Sequence, residues 1–332
     1  MDGFINLLKP AGMTSHDAVS ALRRILCTKK IGHTGTLDPM AAGVLSMCVG
    51  AATRAAEYVE CDEKEYRCEL FLGKVTDTGD IWGTAVEHAG GARVPVSDIT
   101  EDMVLEAIRT MEGEQDQYPP IYSAIRKNGK HLYEYARSGE DVEIEPRSIT
   151  VYSIEPVSVF HEPGRVMFDV KCSKGTYVRS ICTDIGEKLG CGAAMSFLVR
   201  TRSGSFLMED AVTLEDIAEY VSENEGISVD DIYARRRSSS FDYDMSRFIV
   251  PVDRRLEDFG SIFLNEEEQG KYVNGGRLSP VKVTVKKENK LRSGEKYSDM
   301  FCVYGAAGQF LGTAVYDSEK RNFKAGKVFF RW

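Results

Sequence analysis

One carboxylate stands out by its mounting. Asp38 lies in Ile31-Gly32-His33-Thr34-Gly35-Thr36-Leu37-Asp38-Pro39, after a turn carrying two glycines and before a proline. Glycine admits backbone angles that other residues resist, and proline fixes its own φ and lacks an amide donor. Pro39 also steers Asp38 away from the right-handed helical region. A carboxylate on so stiff a corner is well mounted as a nucleophile. Asp-Pro by itself also marks an ordinary turn or a helix start, so the corner must be judged by its company.

Other reactive residue types are scattered. The cysteines, Cys27, Cys48, Cys61, Cys68, Cys172, Cys182, Cys191 and Cys302, include no Cys-x-x-Cys pair, and the histidines lack metal-ligand spacing. Most of these thiols sit in apolar segments and behave as small buried hydrophobes, so neither a zinc site nor a disulfide framework is expected. Thr76-Asp77-Thr78-Gly79-Asp80 is turn chemistry without the ligand count of a calcium loop. The first residues carry no basic, apolar leader and no run reaches membrane-spanning length, which predicts a cytoplasmic protein.

The elements that must position the corner read as two domains in 332 residues. Thr14 or Ser15 caps a helix to Leu26, with Val19, Leu22 and Leu26 on one face. Val44 to Val49 reads as a buried strand and Ala51 to Tyr58 as a small-residue helix. Tyr66 to Leu72 alternates like a half-buried strand, and Thr100 to Met111 is an amphipathic helix. Val166, Phe168, Val170 and Cys172 form a strand that turns at Gly175 into a helix from Val178 to Leu189. Tyr177 and Arg179 thus stand at a strand-to-helix turn, with Arg179 about 100° off the apolar stripe and able to enter a cleft. After Pro251, a helix around Glu266 to Val273 and β segments at 281–285, 301–304 and 310–315 predict a small separate β domain.

The net charge of −9 is awkward for a partner made of phosphates. Nine of the acidic residues, however, fall within 209–232, a stretch without Lys or Arg, and elsewhere 42 basic residues balance 42 acidic ones. Residues 165–205 are rich in Lys and Arg. Residues 115–147 interleave Arg126, Lys127, Lys130, His131, Arg137 and Arg147 with Tyr118, Tyr122, Tyr133 and Tyr135. Such a pattern can stack on bases and hold phosphates, or simply pack its tyrosines on the core. From 221 to 247 the composition turns acidic and then Arg-Arg-Arg-Ser-Ser-Ser. A weakly ordered insertion is expected there, and deleting 222–246 is expected to leave activity largely intact.

Six stretches carry a resemblance. They are Lys9-Pro10-Ala11-Gly12-Met13-Thr14-Ser15, the Asp38 segment, Lys64-Glu65-Tyr66, Gln117 to Ala124, Ser173 to Ser180, and Leu198 to Gly204. In that order they resemble the motifs of the TruB family, the bacterial tRNA pseudouridine synthases that modify uridine 55 in the TΨC loop. The resemblance implies an α+β catalytic domain over 1–220, with a mixed, largely antiparallel sheet flanked by helices and an RNA-binding loop at 115–147. It implies a PUA-like β-barrel domain over 248–332, and it gives 221–247 no strong counterpart. Asp38 would be the nucleophile and Arg179 its cationic partner. Tyr66 would stack on the target uracil, and Tyr177 would handle the C5 proton; a phenol is a poor base at neutral pH unless a nearby cation lowers its pKa, which Arg179 two residues on could do. His33 would help replace displaced loop bases and Leu198 would line the pocket. Lys64, Tyr122, Arg126, Lys130, Arg137, Lys174 and Arg200 would bind the RNA. The isomerisation oxidises nothing and loses no group, so no cofactor and no metal are expected. The implied partner is the T arm of tRNA, met by a monomer away from any membrane. A guide-RNA-dependent synthase, a non-catalytic RNA-binding or folding protein, and a carboxylate-dependent hydrolase are the other readings. The first lacks its long basic tail, the second leaves four matched site residues unexplained, and the third lacks a second nearby acid.

Overall fold

The computed structural model describes residues 2–59, 63–86, 94–235, 243–292 and 294–329. The chain begins with an apolar strand, β1 (Gly3–Lys9), followed by α1 (Ser15–Ile25), which Thr14 caps through a reciprocal box with Asp17. Next come β2 (Ile31–Thr34), β3 (Ala42–Val49), the short α2 (Ala56–Val59) and the alternating β4 (Glu63–Leu72). The amphipathic α3 (Glu101–Arg109) leads to β5 (Gly113–Gln117). An excursion then holds the small hairpin β6 (Arg126–Lys127) and β7 (Lys130–His131) and the helix α4 (Leu132–Ser138). β8 (Arg147–Val159), β9 (Arg165–Ser173), α5 (Val178–Lys188), β10 (Ala193–Ser203) and β11 (Phe206–Leu207) complete the main sheet.

The order across that sheet is β1-β3-β10-β4-β9-β8-β5, with β2 also on β3 and β11 on β10. The ladders are antiparallel except where β10 meets β3. This α+β architecture is the expected one. Strand β3 is its pivot. One edge carries β1; along the other, β2 pairs from Thr34↔Ser46 to Ile31↔Val49, and β10 takes over at Val199↔Ala42 and Arg200↔Gly43. The chain leaving β2 must therefore swing out of the sheet over residues 35–41, where the second partner begins. Gly43, at φ +109°, permits that exchange, because an added Cβ would lie 2.2 Å from the Arg200 carbonyl oxygen. Tyr66, Cys68, Leu70 and Leu72 of β4 share one core with Val166, Phe168 and Val170 of β9 and with Val178, Ile181 and Ile185 of α5.

The segment 221–247 departs from expectation. α6 (Leu214–Glu225) runs into it, α7 (Val229–Ala234) follows, and Val221, Ile232 and Met245 are buried in the main core beside α1 residues. α6 docks through Leu214, Ile217, Ala218 and Val221, and α7 through Ile232 with Val229 and Tyr233 beside it, apolar positions that the surrounding acids mask in composition. The Arg-Ser run at 236–242 lies outside the described residues. Residues 51–58 also differ from the single helix expected, forming a 3₁₀ turn at Gly50–Arg54 before α2; Thr53 Oγ donates to the Gly50 carbonyl at 2.8 Å and tightens that turn.

The C-terminal part contains β12 (Gly260–Phe263), α8 (Glu266–Val273), β13 (Thr284–Lys287), β14 (Met300–Tyr304), β15 (Phe310–Asp317) and β16 (Asn322–Val328). These strands form a five-stranded sheet ordered β13-β12-β14-β15-β16 over a core that includes Ile262, Tyr272 and Leu311. Residues 281–285 are split, with a 3₁₀ turn at Pro280–Lys282 ahead of β13. Phe4, Val44, Phe206, Phe259 and Met300 form a second apolar cluster joining the two sheets. The described cysteines are free thiols; Cys61 lies outside the described residues.

Candidate active site

Three buried groups fix the loop that carries Asp38. Ser15 Oγ accepts the Leu37 N–H at 2.9 Å and donates to the Leu37 carbonyl at 3.1 Å. The Lys9 ammonium, fully buried, donates to the carbonyls of Met13 at 2.6 Å, Pro10 at 2.8 Å and Pro39 at 3.2 Å. The Gly12 N–H adds a bond to the Pro39 carbonyl at 2.9 Å. From the other side Arg200, also fully buried, donates through Nε to Val44 O at 2.7 Å, through Nη2 to Gly35 O at 3.1 Å and through Nη1 to Thr36 O at 3.3 Å. Burial pulls the Lys9 pKa down to about 8, with the Asp38 charge acting in the opposite direction.

Across the loop, Arg179 Nε lies 2.9 Å from Asp38 Oδ2, with the arginine side chain 5% and the aspartate 37% exposed. The Nε–H vector is not aligned with an acceptor, so this is a charge contact rather than a well-directed hydrogen bond. The rest of the guanidinium is anchored. Nη1 donates to Thr78 O at 2.9 Å and lies 4.0 Å from Asp80 Oδ2, and Nη2 donates to Tyr122 O at 2.9 Å. Arg179 therefore ties together the Asp38 loop, the 76–80 turn and the root of the excursion.

A cleft of about 580 Å³ opens over this group, lined in part by Asp38, Lys64, Tyr66, Arg147, Lys174 and Tyr177. A smaller cavity of about 90 Å³ adjoins it, between Asp38, Tyr66, Tyr177, Arg179 and Leu198. A planar ring entering it would meet an aromatic face, an aliphatic wall and a carboxylate. Burial raises the pKa of Tyr66 and of Tyr177. For Tyr177 the downward pulls of Ser123, Arg147 and Arg179, in that order of size, oppose this rise without reversing it.

The structure does not gather all thirteen residues expected at the site. Asp38, Tyr66, Tyr177, Arg179 and Leu198 converge, and Lys64 and Lys174 border the larger cleft. Arg200 does not face solvent for a phosphate; it is buried and donates to the carbonyls of Gly35 and Thr36 in the loop and of Val44 in β3. Tyr122 reaches Arg179 through its carbonyl, with its ring half-buried. His33 lies half-buried in β2, its pKa lowered chiefly by burial. Arg126, Lys130 and Arg137 sit on the excursion: Arg126 Nε donates to His131 Nε2 at 3.2 Å, Lys130 pairs with Glu140 at 3.1 Å, and Arg137 lies 5.3 Å over the Tyr133 ring. Lys9, Asp80 and Gln117 have no site role in the sequence reading, and Ser15 has one only as a candidate helix cap.

The chain is similar to known proteins over nearly its whole length. Residues 23–178 match the TruB family pseudouridylate synthase N-terminal domain, and residues 179–257 match the tRNA pseudouridylate synthase B C-terminal domain. The second match spans the 221–247 segment. A tRNA pseudouridine synthase B of Clostridium perfringens is 40% identical over 329 residues, 99% of each chain. One of Streptococcus gordonii is 41% identical, covering 99% of this chain and 100% of its own. Among solved structures, a chain of an H/ACA RNP bound to a substrate RNA containing 2′-deoxyuridine superposes with a TM-score of 0.66 at 26% identity, over 99% of this chain and 85% of that one.

Proposed function

The chain belongs to the TruB family of pseudouridylate synthases, and from that membership we propose that it isomerises uridine 55 in the TΨC loop of tRNA, with Asp38 as the reacting carboxylate. As a tRNA pseudouridine synthase it is an isomerase. The N1–C1′ bond breaks, the uracil turns, C1′ joins C5, and the C5 proton is lost as N1 gains one. The observation that carries the residue-level reading is the Asp38–Arg179 contact at 2.9 Å beside a ring-sized cavity.

In this reading the target nucleotide leaves the T-loop stack, which costs a few kcal/mol, and stacking on Tyr66 offsets that cost. Asp38 either attacks C1′ or takes the C2′ proton, with Arg179 as counter-charge in a site that excludes water. The off-line Nε–H suits a contact that tightens when substrate fills the cleft. Tyr177, its phenol held protonated by burial, shapes the pocket and supplies a hydroxyl rather than a ready base. Lys174 and Arg147 hold phosphates at the cleft, whose lining also includes the buried Lys64, and the C-terminal sheet acts as a PUA-like second contact to RNA. A tRNA substrate fits an enzyme of the cytoplasm.

Release of tritium from C5-labelled uridine in a T-arm stem-loop tests the proposal. Wild type should release label, and Asp38→Asn should release none while its Kd for the RNA changes less than about threefold. Equal release by both proteins would remove Asp38 from the chemistry. The resemblance to an H/ACA RNP chain supports a guide-dependent reading only if release requires an added guide RNA.

A further inference from the structure

The 118–146 excursion leaves and rejoins the main sheet at one rung, Gln117↔Arg147, the end of the β5–β8 ladder. The Gln117 side chain is turned inward from that rung and is buried. Its carboxamide pairs with the backbone of Tyr177 in both directions. The Tyr177 N–H donates to Oε1 at 2.8 Å, and Nε2 donates to the Tyr177 carbonyl at 3.1 Å. Two further bonds tie the start of the excursion to the same turn, Ser180 Oγ to Tyr118 O at 3.1 Å and Arg179 Nη2 to Tyr122 O at 2.9 Å.

A two-point amide contact fixes rotation as well as distance, whereas a single hydrogen bond leaves a swivel. Displacement of the neck is therefore passed to Tyr177 and, two residues on, to Arg179. We propose that Gln117 is a positioning residue that couples docking of the 118–146 excursion on tRNA to the placement of Tyr177 and Arg179 against the target nucleotide. This inference rests on the roles proposed for those two residues.

Two variants and two readouts test it. Gln117→Glu keeps the volume but sets a carboxylate oxygen against the Tyr177 carbonyl, and Gln117→Ala removes both bonds. With unmodified tRNA tritiated at uridine C5, assayed well below each melting midpoint, both variants should lose about tenfold or more in single-turnover rate. Their Kd for tRNA should rise less than about threefold, because the excursion still binds. Amide hydrogen exchange reads the coupling without turnover: tRNA should slow exchange at 118–146 and at 176–181 in wild type, but only at 118–146 in the variants. Variant rates within about twofold of wild type would overturn the proposal. So would slowing at 176–181 that survives in the variants, or a loss of rate that only follows the unfolded fraction. If wild type releases no tritium, the proposed function fails instead, and the exchange comparison still decides the coupling.

Discussion

At the scale of single residues, the site depends on two cations that never meet solvent. Arg200 satisfies three carbonyls of the Asp38 loop and the adjoining strand, so Arg200→Met would strand those acceptors. The expected cost is about 3 kcal/mol or more in urea unfolding, with the salt dependence of RNA binding unchanged in protein that remains folded. A fall of about one in the log–log salt slope would instead restore Arg200 as a phosphate contact. Lys9 gives a pH signature. Its folded pKa, about 8, lies below the unfolded value near 10.5, so between those values the unfolded chain binds more protons and stability rises with pH. That contribution is complete above the unfolded pKa and is lost as pH falls through about 8. Wild type should therefore gain about 1–2 kcal/mol over Lys9→Met between pH 8 and 9.5, measured by paired denaturant titrations. A constant difference would mean that Lys9 titrates alike in both states. Asp38 was legible in sequence because glycine and proline announce a constrained corner locally. Lys9 and Arg200 were not, because their burial follows from β3 exchanging β2 for β10, a pairing between residues more than 150 positions apart.

At the scale of elements, the acidic helices α6 and α7 brace the back of that corner. Arg235, just beyond α7, donates to the carbonyls of Arg24, at 3.0 Å, and Ile25 at the end of α1, and pairs with Glu225 at 2.6 Å. The opposite end of α1 supplies Ser15, which holds Leu37 next to Asp38. Ile232→Ala should therefore cost about 2–4 kcal/mol, the range for an aliphatic core truncation. Deleting 222–246 should abolish cooperative melting rather than spare activity; a deletion variant that melts sharply and turns over normally would return the segment to the status of a passive insertion. The periodic helices α1, α3 and α5 were readable because each carries a full apolar stripe. α7 was not, since a six-residue helix with Ile232 as its buried anchor leaves no period to detect.

At the scale of the whole molecule, an acidic protein must still attract a polyanion. The segregation seen in sequence corresponds to a structural one: α6 and α7 carry much of the excess acid and pack on α1, while Lys64, Arg147 and Lys174 line the cleft. Binding of T-arm RNA should therefore weaken with salt as though only a few phosphates were neutralised, and Lys174→Ala should lower the slope by about one. The excursion adds a second control. Lys130 is held by Glu140 at 3.1 Å in the free protein, and that surface pair must open before the ammonium can meet a phosphate. Glu140→Gln removes the competitor and the local negative charge together. RNA should then bind roughly two- to fivefold tighter near physiological salt, mainly through faster association, with the advantage fading at high salt. Unchanged binding would place Lys130 outside the RNA path and leave the cleft rim to supply the attraction.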